Sequence, residues 1–442
     1  MPNLGAMPIE ISSLINSQLS QKDIKQLRLV SRQVNDRAKL RITRVFISRH
    51  SAILNNTSET IHDNDFSKQI EEIVWDNTQH QYPNNMDEFT GLAGRRLNSG
   101  NKQLMLSYLR EARKLAKSQR EILKNGLDLE ILQQALKLPN LKRITITSHI
   151  WASIAAGAPS YDLPLFRRLY DEFLIDRRPY VIYDRLLYEL HRAQVKLQEF
   201  VVEVTRERAY IHGHLFWYLC PATHAIKTIC MNSNNLTRLD LALNTAVNWG
   251  HDVSCFDCGQ LKDLLSKLPS LEHLGLHANM YTDFGRMDTN PVSRPLWNSI
   301  ESIFPSPDDI NFPELRHLKL ANLFVKTSSL LVLLTRLPSL ETVDLDRLEL
   351  CRNTGRFHDL LHGLKRRLVD HEDGIWKEPR TRVTIQSGWR CHGIVEDDIT
   401  AFFYEGAECP YDPGFYGPKS FWRIDNDYLP GERVKCIRDE DD

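Results

Sequence analysis

One unit returns four times along this chain and limits what it can become. The unit is a run of leucines at helical spacing, a Pro, and then Leu-x-x-apolar-x-apolar. Leu129, Leu132 and Leu136 precede Leu138-Pro139-Asn140-Leu141-Lys142-Arg143-Ile144-Thr145-Ile146. Leu261, Leu264, Leu265 and Leu268 precede Pro269-Ser270-Leu271-Glu272-His273-Leu274-Gly275-Leu276. Leu330, Leu331, Leu334 and Leu337 precede Pro338-Ser339-Leu340-Glu341-Thr342-Val343-Asp344-Leu345. The fourth copy is Phe312-Pro313-Glu314-Leu315-Arg316-His317-Leu318-Lys319-Leu320, after helical spacing at 297–304. The period falls from about 3.6 to about 2 across each Pro, which predicts a helix and then a short strand. A Pro cannot continue a helix, so it marks the boundary.

Within each strand the apolar residues point inward and the intervening ones outward. The outward set is Arg143, Thr145 and Thr147; Arg238 and Asp240; His273, Gly275 and His277; His317 and Lys319; Thr342, Asp344 and Asp346. They are expected side by side, basic and His-rich at several turns and acidic at the last. Arg143, Arg238, His273, His277, His317, Lys319 and Asp344 are the candidate substrate-binding residues. An acidic partner segment suits Arg143, Arg238 and Lys319, with protonation of His273 and His317 strengthening the contact below about pH 6.5. Weaker strands are expected at 45–48, 70–75, 197–204 and 381–385, and a helix with a basic stripe (Arg110, Arg113, Lys114, Lys117, Lys124) at 104–124.

Two copies carry an Asn after the strand: Leu236, Leu239, Leu241 with Asn244, and Leu271, Leu274, Leu276 with Asn279. In this the chain resembles the leucine-rich repeats. First leucines are unevenly spaced, 44 residues from Leu271 to Leu315 and 25 from Leu315 to Leu340, so loop insertions are expected between turns. The resemblance implies an α/β fold, a curved solenoid of short parallel strands and helices over 49–390. Residues 391–442 are dense in aromatics among Gly and Pro and end in Asp439-Glu440-Asp441-Asp442. They read as an irregular aromatic cap over the last repeat, since a solenoid needs its open end covered, followed by an acidic tail.

The N-terminus holds a different pattern. Pro8 suits a first helical turn, and Glu10 lies near its positive end. Ile11, Leu14, Ile15 and Leu19 form one stripe, and Ile24, Leu27, Val30, Val34 and Ala38 a second. Forty residues with two stripes bury too little surface to stand alone. The order Met7-Pro8-Ile9-Glu10-Ile11, Ile15, Leu19, Asp23-Ile24, Leu27-Arg28-Leu29-Val30-Ser31-Arg32 resembles an F-box. It departs from that family in having Met7 for the Leu before Pro and no Trp after Ser31-Arg32. The resemblance implies a small helical module over 1–48 that docks on a Skp-family adaptor, and through it on cullin, by Pro8, Ile9, Ile11, Ile15, Leu27 and Val30.

Charge is nearly balanced, 56 Lys and Arg against 57 Asp and Glu, which points away from a nucleic-acid binder. No apolar run reaches the length of a membrane span, and no secretory signal is visible, so neither a membrane nor an oxidising compartment is expected. The eight cysteines are irregularly spaced, as reduced thiols of the cytoplasm or nucleus are. Cys255-Phe256-Asp257-Cys258 lacks the second pair that structural zinc uses. His212, His214, Cys220, His224 and Cys230 form a looser group. The phosphate-loop, dinucleotide, metalloprotease and hydrolase motifs are missing.

The expected function is the substrate-recognition subunit of an SCF-type E3 ubiquitin ligase, without catalysis or cofactor of its own, holding an unidentified protein substrate. Two other readings stand beside it: an adaptor-bound repeat scaffold with no ligase role, and a metal-dependent or cysteine enzyme using the Cys/His group.

Overall fold

The computed structural model describes residues 11, 15, 18–19, 21–29, 42–76, 102–147, 180–203, 235–243, 260–278, 300–304, 312–346, 348–350, 357–370, 381–386 and 396–411. Its centre is a nine-stranded sheet, not closed into a barrel. In order across the sheet the strands are β1 (Arg44–Ser48), β2 (Glu72–Asp76), β3 (Arg143–Thr147), β4 (Glu199–Glu203), β5 (Arg238–Leu243), β6 (His273–Ala278), β7 (His317–Ala321), β9 (Thr342–Asp346) and β11 (Arg382–Gln386). Every neighbouring pair is parallel and follows chain order. The short strands β8 (Phe324–Val325) and β10 (Glu349–Leu350) form a separate parallel pair.

One backbone device repeats at the start of the strands. The carbonyl just before a strand accepts two successive N–H groups from the next strand. Glu71 O accepts from Lys142 at 2.9 Å and Arg143 at 3.0 Å. Lys142 O accepts from Gln198 and Glu199, Gln198 O from Thr237 and Arg238, and Thr237 O from Glu272 and His273. The fork holds neighbouring strands in one register, so equivalent residues form straight rows across the sheet.

Two such rows build the core. Val45, Ile73, Ile144, Phe200, Leu239, Leu274, Leu318, Val343 and Val383 make one, and all are buried. Ile47, Trp75, Ile146, Val202, Leu241, Leu276, Leu320, Leu345 and Ile385 make the second, also buried. Each full burial of such a side chain contributes about 1.5–3 kcal/mol. The leucines that open the repeats, Leu141, Leu271, Leu315 and Leu340, are buried beside them.

Helices α2 (Ser51–His62), α3 (Asn64–Ser67), α4 (Lys102–Asn125), α5 (Leu127–Ala135), α6 (Tyr180–Ala193), α7 (Gln260–Ser266), α8 (Ile300–Ile303), α9 (Thr327–Thr335) and α10 (Phe357–Leu364) connect the strands. The leucine spacing predicts α5, α7, α8 and α9 among them. Leu132, Leu261, Leu264, Leu265, Leu330 and Leu334 all reach the core. Gly126 breaks α4 from α5 at φ 67°, a left-handed conformation that Gly adopts without strain.

Helix α2 lies over the edge strand β1. Its Thr57 donates its hydroxyl to the carbonyl of Phe46, occupying an acceptor of the sheet edge. The stretch is a weak apolar pattern in sequence, yet Ile53, Leu54, Thr57 and Ile61 fall on one buried face.

The cap expected to be irregular contains a helix over 396–404 and is irregular over 405–411. After a π-helical turn (Lys365–Val369), helix α11 (Glu396–Tyr404) packs against β11. Ile399, Phe402 and Phe403 recur at helical spacing and are buried, which is why this stretch coils into a helix. Lys365 donates to the Phe402 carbonyl at 2.7 Å, and the Tyr404 hydroxyl to the Thr381 carbonyl at 3.0 Å.

Among the described residues, helix α1 (Gln21–Arg28) contributes to a cluster separate from this core. Ile24 is buried against Leu19 and Leu27 in a small cluster of their own. Leu29 is 80% exposed and Ile11 46% exposed.

Candidate functional site

The strand face opposite the core carries rows of polar side chains. The row at the start of the strands reads Arg44, Glu72, Arg143, Glu199, Arg238, His273, His317, Thr342 and Arg382, in register. Parallel strands stand about 4.8 Å apart, so neighbours in the row can touch. Over the first five strands the signs alternate, and over the first four the charges pair sideways.

Glu72 is the first node. It accepts from Arg44 Nε at 2.6 Å, from the Thr145 hydroxyl at 2.6 Å, and faces Arg143 Nε at 3.2 Å. Arg143 also reaches Glu199 through Nη1 at 3.1 Å. Both Glu72 and Thr145 are buried, so the network replaces their lost hydration.

Asp240 is the second node, and it is buried. Its Oδ2 accepts from Arg238 Nε at 2.8 Å, and its Oδ1 lies 3.1 Å from His273 Nε2. A carboxylate only accepts, so His273 carries a proton on Nε2. Burial pushes the Asp240 carboxyl up, but the His273 hydrogen bond and charge, with Arg238, bring it down to about 2.

Gly275 makes this node possible. A Cβ there would lie 2.0 Å from Asp240 Oδ1, the oxygen that meets His273. Gly275→Ala is expected to turn the carboxylate away from His273 and destabilise the fold by about 2–3 kcal/mol. Asp240 titrates below its ordinary 3.8, so its contribution is complete above 3.8 and lost as the pH falls towards 2. The acid limb of a stability–pH curve is therefore expected to flatten in Gly275→Ala. Unfolding titrations between about pH 2 and 6 check this, and an unaltered acid limb contradicts it.

Beyond Arg238 the row becomes aromatic. The rings of His273 and His317 are 5.6 Å apart and tilted by 44°. His317 Nδ1 meets the Thr342 hydroxyl at 2.7 Å. Burial holds the His317 imidazole below its ordinary 6.5, and the His273, Arg238 and Arg316 charges add to this against Glu341. His317 therefore resists protonation below 6.5. Its part in stability is complete above 6.5 and lost as the pH falls towards its lowered value.

The structure places the residues expected to bind substrate on one face, with a gradient of exposure. Arg143, Arg238, His273, His317, Lys319 and Asp344 are partly exposed. Thr145, Thr147, Asp240, Gly275, His277 and Asp346, nearer the strands' far ends, are buried. The cations do not stand free for an acidic partner. Arg143 holds Glu72 and Glu199, Arg238 holds Asp240, and Lys319 lies 3.5 Å from Asp344. A partner must compete with carboxylates already in place, or read the paired pattern as it stands.

Sequence reasoning missed Arg44, Glu72 and Glu199. Their signal was the same alternation around Val45/Ile47, Ile73/Trp75 and Phe200/Val202, on strands without the Leu-Pro unit.

Of the expected adaptor-binding residues, Ile11 is exposed, and Ile15 and Leu27 are half-buried. Pro8, Ile9 and Val30 lie outside the described residues, as do Cys255, Cys258 and the His212–Cys230 group. Among the described residues no group of three His, Cys, Asp or Glu is arranged to hold a metal. No described helix is long and apolar enough to cross a membrane. Comparison with models of known protein families gives no match, and neither does comparison with curated proteins.

Proposed function

We propose that the chain is the substrate-recognition subunit of an SCF-type E3 ubiquitin ligase. In this reading the stretch of residues 1–48 that precedes β1 is an F-box that docks on a Skp-family adaptor, and through it on cullin. The parallel strands and helices form a leucine-rich-repeat-like solenoid whose polar face holds a protein substrate.

The observation that carries the reading is the state of the N-terminal helices. Among the described residues, Ile24, Leu19 and Leu27 form a cluster separate from the main core, while Leu29 and Ile11 are exposed. Apolar surface left over by so small a module suits a partner that completes it. The Pro8-to-Arg32 motif order supplies the identity of that partner.

The second support is the polar row. It spans nine strands, and such a broad sheet face, with its pattern fixed by register, suits a macromolecule. In the ligase reading the chain contributes proximity, raising the effective concentration of substrate lysines near the charged E2.

The test is a double change, Pro8→Ala with Leu27→Ala, in the full-length protein. Each truncated contact removes roughly 1–3 kcal/mol of apolar burial at the interface. Adaptor pull-down is expected to fall at least tenfold, with the melting temperature of the main fold unaltered. Wild-type pull-down by a folded double variant contradicts the docking assignment.

A further inference from the structure

A second charged surface lies on the helix side of the sheet. Helix α4 carries seven Lys or Arg against two Glu, in a chain whose net charge is −1. Its buried side chains, Leu109, Ala116, Gln119 and Ile122, share one face. Arg110, Lys114, Lys117 and Lys124 share the opposite one, within an arc of about 80°, and all four are exposed. They form a straight strip about 21 Å long. Helices α2 and α5 hold α4 from its buried side. The strip is thus presented outward by packing that does not involve it.

We infer that this strip docks an acidic segment of another protein. Charge complementarity selects an anion, and three details select carboxylates over a nucleic-acid backbone. First, Glu121 sits inside the strip, 4.0 Å from Lys117. It repels a continuous row of phosphates, whereas a protein partner can set a basic residue against it. Second, three of the four cations are Lys, compact point charges rather than the bidentate forks that Arg offers phosphate. Third, no aromatic residue stands in the strip to stack single-stranded bases. The Lys117–Glu121 pair does not close the site. Its side chains are 75% and 64% exposed, so the pair is held weakly and exchanges readily. The complementary partner carries Asp or Glu at the same helical spacing, i, i+4, i+7 and i+14, over about four turns.

The inference is independent of the ligase reading, because the strip uses neither the N-terminal helices nor the polar sheet face. The probe is a labelled helical peptide of about 16 residues with Glu at i, i+4, i+7 and i+14, titrated against the full-length protein by fluorescence anisotropy. Binding is expected, weakening about tenfold or more between roughly 50 and 300 mM salt. The variant Arg110→Gln, Lys114→Gln, Lys117→Gln, Lys124→Gln is expected to weaken it at least tenfold with an unaltered melting temperature, since all four side chains are exposed. The milder Lys114→Gln with Lys124→Gln is expected to show a partial loss, should the fourfold variant fold poorly. No peptide binding, or binding that the variants leave unchanged, overturns the assignment. A DNA duplex that binds more tightly than the peptide and is lost in the same variants assigns the strip to nucleic acid and overturns it as well.

Discussion

Truncation after Gly388 is expected to cost this protein its solubility. The deletion removes α11 and with it Ile399, Phe402, Phe403 and Cys409, all buried. The three large side chains alone contribute about 1.5–3 kcal/mol each. The lost contacts go further. Phe402 packs edge-on against His362 at 5.0 Å and lies under the Lys365 ammonium at 4.5 Å, and Tyr411 stacks on Phe357 at 5.4 Å. The combined loss approaches the whole stability of an ordinary domain, about 5–15 kcal/mol. It also leaves β11 as a bare edge, which invites pairing with other chains. Size-exclusion chromatography and a melting curve test this. Aggregation, or a transition many degrees lower, is expected. A monomer with an unaltered melting temperature would show that α11 covers nothing of consequence. Phe402→Ala and Phe403→Ala, each expected to cost about 3–5 kcal/mol, locate the effect in the helix.

The second large effect concerns a charge inside the fold. Arg49, just past β1, meets Asp128, in the first turn of α5, at 3.1 Å. Their side chains are only 1% and 4% exposed. Asp128→Ala leaves a buried guanidinium without this carboxylate and is expected to destabilise by about 3–5 kcal/mol. The sign changes when both partners go. Arg49→Met with Asp128→Leu is expected to lie within about 1–2 kcal/mol of wild type, or above it, because neither charge then needs desolvation. Denaturant titration of the two singles and the double closes the cycle. A single Asp128→Ala within about 0.5 kcal/mol of wild type contradicts the account.

The two rows of core residues were legible in the sequence for a simple reason. Leu-x-x-apolar-x-apolar encodes two inward positions, and the preceding Pro shows where the helix stops. Alternation alone found β1, β2, β4 and β11. Helix α2 was hidden because Ile53, Leu54, Thr57 and Ile61 are diluted by Asn, Ser and Thr, and Thr57 acts through a backbone carbonyl. Helix α11 was hidden by its aromatic, Gly- and Pro-rich surroundings, though its acidic start and the Ile399/Phe402/Phe403 spacing belong to a helix. The candidate site was legible as a list of outward residues and illegible as electrostatics. Which acid meets Arg143 depends on strand neighbours 71 and 56 positions away in the chain, and local pattern does not carry register. For the same reason the Arg49–Asp128 pair, 79 residues apart, left no local trace.

The account ties adaptor docking at the N-terminus to capture of a protein on the polar sheet face. Co-purification with the full-length protein tests this most directly, run on wild type beside Arg238→Glu with Lys319→Glu. These changes set like charges against Asp240 and Asp344 in the middle of the polar face. The account predicts that a Skp-family adaptor and cullin accompany both proteins, and that at least one further protein accompanies wild type and is depleted about tenfold or more from the folded variant. Absence of adaptor and cullin from the wild-type complex, or the same further proteins at equal levels in both, contradicts it.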